Sequence, residues 1–140
     1  MALDLAHLSA SIGALDRAQG ICTDALGWQA LSPAVQEAVR AGVIQSFEVA
    51  YEQSWKLMRR WLEQNPIAGE ASGATMRHIY RLAAKSGLID DVDLWMQFHD
   101  ARNRTSHTYD CKVAEAVFAL SLRFFSEAKR VLAALEVRND

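Results

Sequence analysis

The sequence predicts an all-α protein, an antiparallel up-and-down four-helix bundle with one extra short helix, forming a single domain over residues 1–140. Three observations predict it. Apolar residues recur at three- and four-residue spacing through most of the chain, and no segment alternates with period two for long enough to make a strand. Glycine and proline are sparse, 7 and 2 among 140 residues, too few for a turn-rich β architecture. Hydrophobic residues make up 51% and charged residues 23%, the balance of a globular domain and not of a disordered chain.

Leu5, Leu8, Ile12, Leu15, Cys22 and Leu26 follow helical spacing, with Gln19 filling one slot, and predict a first helix over residues 4–26. Gly13 and Gly20 weaken it by ~1 kcal/mol each relative to alanine, and either can mark the close approach of a neighbour. Ser32-Pro33 is a helix start, serine as N-cap and proline at the first helical position. The second helix then runs to Gln64, before Asn65-Pro66. It carries two apolar lines, Val39, Val43, Phe47, Ala50, Leu57, Trp61 and Ile44, Tyr51, Trp55, Met58, Leu62. A helix covered on more than one side is central or lies at a subunit interface. Ser72 can cap a short third helix over residues 73–86 that stops at Gly87. Asp90 or Asp91 caps a fourth that buries Val92, Trp95 and Phe98. Asp110 caps the last, over residues 111–137, with Val113, Val117, Leu120, Phe124, Ala128, Val131 and Leu135 on its apolar face.

Several function classes drop out on composition. No apolar run approaches the ~20 residues of a membrane span, so no membrane partner is expected. Met1-Ala2-Leu3-Asp4 has neither a basic region nor an apolar core of signal-peptide length. Cys22 and Cys111 are the only cysteines and form no C-x-x-C pair, which argues against a disulfide scaffold and a structural zinc site. A cytoplasmic protein with reduced thiols follows, with no cofactor and no metal. The histidines His7, His78 and His99 show no metal-site pairing and read as surface residues, and Trp55, Trp61 and Trp95 read as core. Net charge is −2, but residues 56–85 carry a net +4 against −4 before and −2 after. Within that segment Arg77, Arg81 and Lys85 form one stripe at i, i+4, i+8. Such a cluster holds phosphates or is simply a solvated helix face; sequence does not assign its role.

The segment that stands out is Asp100-Ala101-Arg102-Asn103-Arg104-Thr105-Ser106-His107-Thr108-Tyr109-Asp110. It joins two apolar helices without one long aliphatic side chain. Thr108 and Asp110 can be caps, and arginines suit a helix C-terminus, but capping does not call for Arg, Asn, His and Tyr together. Arg102 falls four after Phe98 and seven after Trp95, on or near the buried face, where an arginine needs an anionic or hydrogen-bonding partner. Asn103 and His107 share a helical face. Arg102 and His107, five apart, lie about 140° from each other on an ideal helix. So either the helix ends before His107 or the site is assembled with a second subunit. Asp100 and Asp110 either orient Arg102 or His107, or cap helices.

Arg102-Asn103-x-x-x-His107-x-Tyr109 resembles the R-x4-H-x-Y motif of HEPN-domain toxins of the HepT type. The chain is also similar to the bacterial nucleotidyltransferase substrate-binding proteins. Gln45-Ser46-Phe47-Glu48, Tyr51-Glu52 and Trp55-Lys56 resemble that family's second-helix signature, and Gly87-Leu88-Ile89-Asp90-Asp91 with Trp95 its approach to the motif. The resemblance spans most of residues 1–135. It implies a HEPN-like bundle, a homodimer or higher even oligomer with two motifs facing across a cleft, and a metal-independent endoribonuclease. Arg102 and His107 become the catalytic pair, Asn103 the polar residue beside the arginine, and Tyr109 the acceptor of AMP from a partner minimal nucleotidyltransferase, an MntA-like antitoxin. The substrate implied is RNA, with no DNA expected. Tyr109 can equally be structural. Two other functions stay open. One is a non-catalytic subunit that presents substrate or nucleotide to the transferase. The other is an interaction module in which the motif only specifies the dimer. The chain has no Gly-rich phosphate loop or nucleotidyltransferase strand, so it is not itself the transferase.

Overall fold

The computed structural model describes residues 2–108 and 110–139, and every regular element among them is a helix. The α-helices are α1 (Ala6–Thr23), α2 (Ala25–Ala30), α3 (Pro33–Gln64), α4 (Met76–Lys85), α5 (Val92–Asn103) and α6 (Cys111–Arg138). Single 3-10 turns occupy Pro66–Ala68 and Thr105–His107. The long helices pack as an up-and-down bundle. α3 lies between α1 and α6, and α4 and α5 close the remaining side. Asn139 ties the ends of the chain together, its Nδ2 donating to Leu3 O at 3.0 Å and its Oδ1 accepting from Leu3 N at 2.7 Å.

Caps decide where most helices begin. The Ser32 hydroxyl accepts from Val35 N at 3.3 Å, with Pro33 at the first helical position. Asp91, not Asp90, caps α5 through Leu94 N at 3.0 Å. Asp110 caps α6, accepting from Lys112 N at 2.9 Å and Val113 N at 3.4 Å. At the C-terminus of α4, Gly87 takes φ +81° and Leu88 N donates back to Ala83 O at 2.9 Å, a stop that needs a residue tolerant of the left-handed region.

Two helices differ in their bounds from the sequence expectation, the first and the third. The first helix does not run over residues 4–26. It ends at Thr23, because Asp24 turns extended and its carboxylate caps α2 through Gly27 N. Leu26 is therefore on α2 and 83% exposed, while Gln19 is buried as expected. Neither Gly13 nor Gly20 marks a close approach: a Cβ at Gly13 would meet only Arg17 of its own helix, and one at Gly20 nothing within 4 Å. The third helix is shorter than residues 73–86. Thr75, not Ser72, caps it through His78 N, and Ser72 sits in the preceding turn.

The core is aromatic at its centre. Phe124 of α6 makes edge contacts with Phe47, Tyr51, Trp95 and Phe98 at ring separations of 5.1–6.2 Å, the geometry the ring quadrupole favours. Of the predicted core tryptophans only Trp95 is fully buried. Trp55 and Trp61 are half-buried, and Trp55 carries Lys56 and Arg59 over its ring. Both apolar lines of α3 are buried only from Val43 onward. Its first ten residues stand clear of the core, with Val39 half-buried and Val35 exposed. At 32 residues α3 extends about 48 Å, and a cleft separates its N-terminal half from the start of α6.

Candidate functional site

The polar motif closes α5 and turns the chain into α6. α5 ends at Asn103 with Arg104 as C-cap, and the 3-10 turn Thr105–His107 follows. The helix thus ends before His107, which resolves the geometric conflict between Arg102 and His107. It also means that Asn103 and His107 do not share a helix face, as their spacing suggested. Thr105 locks the reversal: its buried hydroxyl donates to Arg102 O at 2.8 Å and accepts from Arg102 Nη1 at 3.2 Å.

Arg102 has the anionic partners its position demanded, and they come from α3. Its Nε lies 3.3 Å from Glu52 Oε1, and its Nη1 3.9 Å from Glu48 Oε2. The Nε is buried and off the line of a hydrogen bond, so the contact to Glu52 is an ion pair. The Arg102 side chain stays 34% exposed. Glu48 and Glu52 are one turn apart on α3, and Glu52 also holds Lys56 at 3.5 Å. Asp110 is the cap of α6, and Asp100 is exposed on α5; neither pairs with Arg102 among the described residues.

Asn103 is exposed and bonds back along its own helix, Nδ2 lying 3.4 Å from His99 Nε2. The other ring nitrogen of His99, Nδ1, is 3.1 Å from the Tyr51 hydroxyl, which in turn bonds the Tyr80 hydroxyl. His99 is therefore half-buried and bonded on both nitrogens, and its reading as a surface residue is corrected; His7 and His78 are exposed. Burial pushes the Tyr51 and Tyr80 phenols well above the usual tyrosine range. The bond between them opposes that rise at Tyr51 and adds to it at Tyr80.

His107 is exposed in the turn, and its backbone N–H donates to Arg104 O at 3.0 Å. Tyr109 lies outside the described residues. Beside the turn is a cleft of about 970 Å³ between the N-terminal half of α3 and the start of α6. Glu37, Arg40, Glu48, Thr105, Thr108 and Phe118 are among its walls. Cys111 borders it and is exposed, whereas Cys22 is half-buried, with its thiol pushed up by burial. Away from the motif, Arg77 pairs with Asp93 at 3.3 Å while Arg81 and Lys85 are exposed, the arrangement of a solvated face. Among the described residues no group of three or more His, Cys, Asp or Glu could hold a metal ion. No described helix is long and apolar enough to cross a membrane.

The model of the family described as "Nucleotidyltransferase substrate binding protein like" matches residues 3–137. The chain belongs to this nucleotidyltransferase substrate-binding family. A Haemophilus influenzae relative named "Probable ribonuclease HepT" is 42% identical over 115 residues, covering 81% of this chain and 79% of that protein. A solved Haemophilus influenzae structure superposes with a TM-score of 0.89 at 36% identity, covering 95% of this chain and 99% of that one. It is described as revealing the fold of a substrate binding domain of a nucleotidyltransferase. A crystal structure from Thermus thermophilus matches at TM-score 0.67 and 28% identity, over 89% of this chain and 98% of that one. The family resemblance pointed to Arg102, Asn103 and His107 but not to the groups that hold them. Glu48 and Glu52 at i, i+4 on α3, and His99 one turn before Asn103, were the signals available.

Proposed function

We propose that this chain is a HepT-like toxin of a type VII toxin–antitoxin pair, an endoribonuclease that works without a metal ion. Arg102, clamped by Glu48 and Glu52 at the end of α5 with His107 on the adjoining turn, is the observation that carries the reading. Metal-free cleavage of RNA requires removing the proton of a 2′-hydroxyl, protonating the leaving 5′-oxygen and stabilising the phosphate charge between them. A solvent-facing histidine can move either proton near neutral pH. A guanidinium supplies fixed charge and a forked pair of donors to the phosphate. An incoming phosphate competes with Glu48 and Glu52 for Arg102, so the carboxylates hold the arginine in place until substrate arrives. In a homodimer two such motifs would face one cleft. The name of the Haemophilus influenzae ribonuclease relative supports the same reading.

Neutralisation belongs to a separate minimal nucleotidyltransferase, which would attach AMP to Tyr109. A bulky anion two residues from His107 would occupy the space and satisfy the charge that an RNA phosphate needs. A second reading is a non-catalytic subunit that presents substrate or nucleotide to that transferase. The 970 Å³ cleft beside the motif and the family's description favour it. RNA cleavage by the purified chain, lost in His107→Ala with the helical circular dichroism retained, separates the two.

A further inference from the structure

The tyrosine pair in the core and Asn103 at the surface are joined by a single residue, His99. Tyr80 is fully buried, and its hydroxyl has the Tyr51 hydroxyl as its partner. A buried O–H donor left unsatisfied costs more than an unfilled acceptor lone pair. Tyr80 therefore donates to Tyr51, and Tyr51, whose hydroxyl has one proton, donates onward to His99 Nδ1. A neutral imidazole that accepts at Nδ1 carries its proton on Nε2. That N–H points at the Asn103 amide, whose Nδ2 is placed 3.4 Å away. In the structure it is the amide Nδ2 that faces this nitrogen, and two N–H groups cannot bond there; the run of donors therefore requires the amide turned by 180°, with Oδ1 toward His99 and NH2 outward.

We propose that His99 is a positioning residue. Oriented by Tyr51 and Tyr80, it fixes the Asn103 amide with its two N–H donors turned to solvent beside Arg102, where they can bond a phosphate. This rests on the ribonuclease reading for its consequence, but the tautomer and the amide orientation stand apart from it. Phosphate oxygens only accept, so an amide presented the other way round would repel the substrate that Arg102 attracts. The core thus sets the polarity of the surface motif through one chain of hydrogen bonds, Tyr80 to Tyr51 to His99 to Asn103.

The test uses the full chain. Long-range proton–nitrogen NMR of the His99 ring, at a pH where the ring is neutral and the tyrosines are un-ionised, should show the proton on Nε2 and an Nδ1 shifted by an accepted hydrogen bond. Tyr51→Phe should remove that Nδ1 shift. A proton on Nδ1, or an Nδ1 signal unchanged in Tyr51→Phe, overturns the proposal whether or not the protein cleaves RNA. In the cleavage assay, His99→Ala should lower kcat by about tenfold, within the range that misplacing a positioned group costs. His99→Gln, which keeps an N–H donor toward Asn103, should recover most of it. His99→Ala should cost nothing further in an Asn103→Ala background. Losses that multiply in the double variant mean that His99 does not act through Asn103 and overturn the positioning role. A wild-type chain that cleaves no RNA refutes the ribonuclease reading instead and leaves the NMR result to decide this one.

Discussion

Replacing Glu52 by glutamine keeps the shape of the Arg102 clamp and removes one charge. At 3.3 Å, unit charges in an environment of effective dielectric about 20 attract by about 5 kcal/mol. Glu52 is 31% and Arg102 34% exposed, so water and salt screen most of this, and a net coupling of about 1 kcal/mol is expected. For a chain of 140 residues, unfolding entropy near the midpoint is about 0.3 kcal/mol/K, so 1 kcal/mol lowers Tm by about 3 °C. Glu52→Gln also gives up its exposed pair with Lys56, worth a few tenths of a kcal/mol. A double-mutant cycle of Glu52→Gln with Arg102→Gln removes that side effect and isolates the pair. The cycle, read by thermal or urea unfolding at low salt, should give about 1 kcal/mol and shrink as salt rises. Additive losses, with no coupling at low salt, would refute the clamp.

Three further outcomes follow. Burial raises Tyr51 and Tyr80, so both add stability that is fully present below the unfolded tyrosine pKa of about 10 and lost as pH climbs above it; the phenolate absorbance of these two should appear only with unfolding, and their ionisation near pH ~10 in a protein of intact helicity would contradict their burial. Light scattering at micromolar concentration should give a dimer or a higher even oligomer, since the first ten residues of α3 stand clear of the core, and a monomer would count against it. With a partner nucleotidyltransferase, ATP and magnesium, peptide mass spectrometry should find AMP on Tyr109 together with loss of cleavage, and Tyr109→Phe should abolish both; an adduct elsewhere that silences the protein equally well removes Tyr109 as the switch.

The bundle was legible because period and caps agree. Ser32-Pro33, Asp91 and Asp110 start helices where they stand, and the apolar line of α6 is buried at Val117, Phe124, Ala128, Val131 and Leu135, with Leu120 half-buried beside a buried Ser121. What misled was competition between neighbouring caps. Asp24 interrupts an apolar spacing that would carry one helix through Leu26, and Thr75 wins over Ser72 because the residues between them form a turn that includes Gly73 at φ +71°. In the site, the need of Arg102 for an anion followed from its helical position. Its identity did not, because Glu48 and Glu52 lie about fifty residues away and meet it only through the packing of α5 against α3. His99 was misjudged for the same reason: its partner Tyr51 is 48 residues distant, and an isolated histidine pattern carries no trace of it.

The most direct measurement is cleavage of RNA by the purified chain in the presence of a chelator, wild type beside His107→Ala and Arg102→Ala, each checked for helical circular dichroism and thermal unfolding. Wild-type protein should cut RNA with EDTA present, and loss of the proton-transfer group should slow cleavage by about 100-fold or more. A folded His107→Ala protein that cuts as fast as wild type would contradict the account.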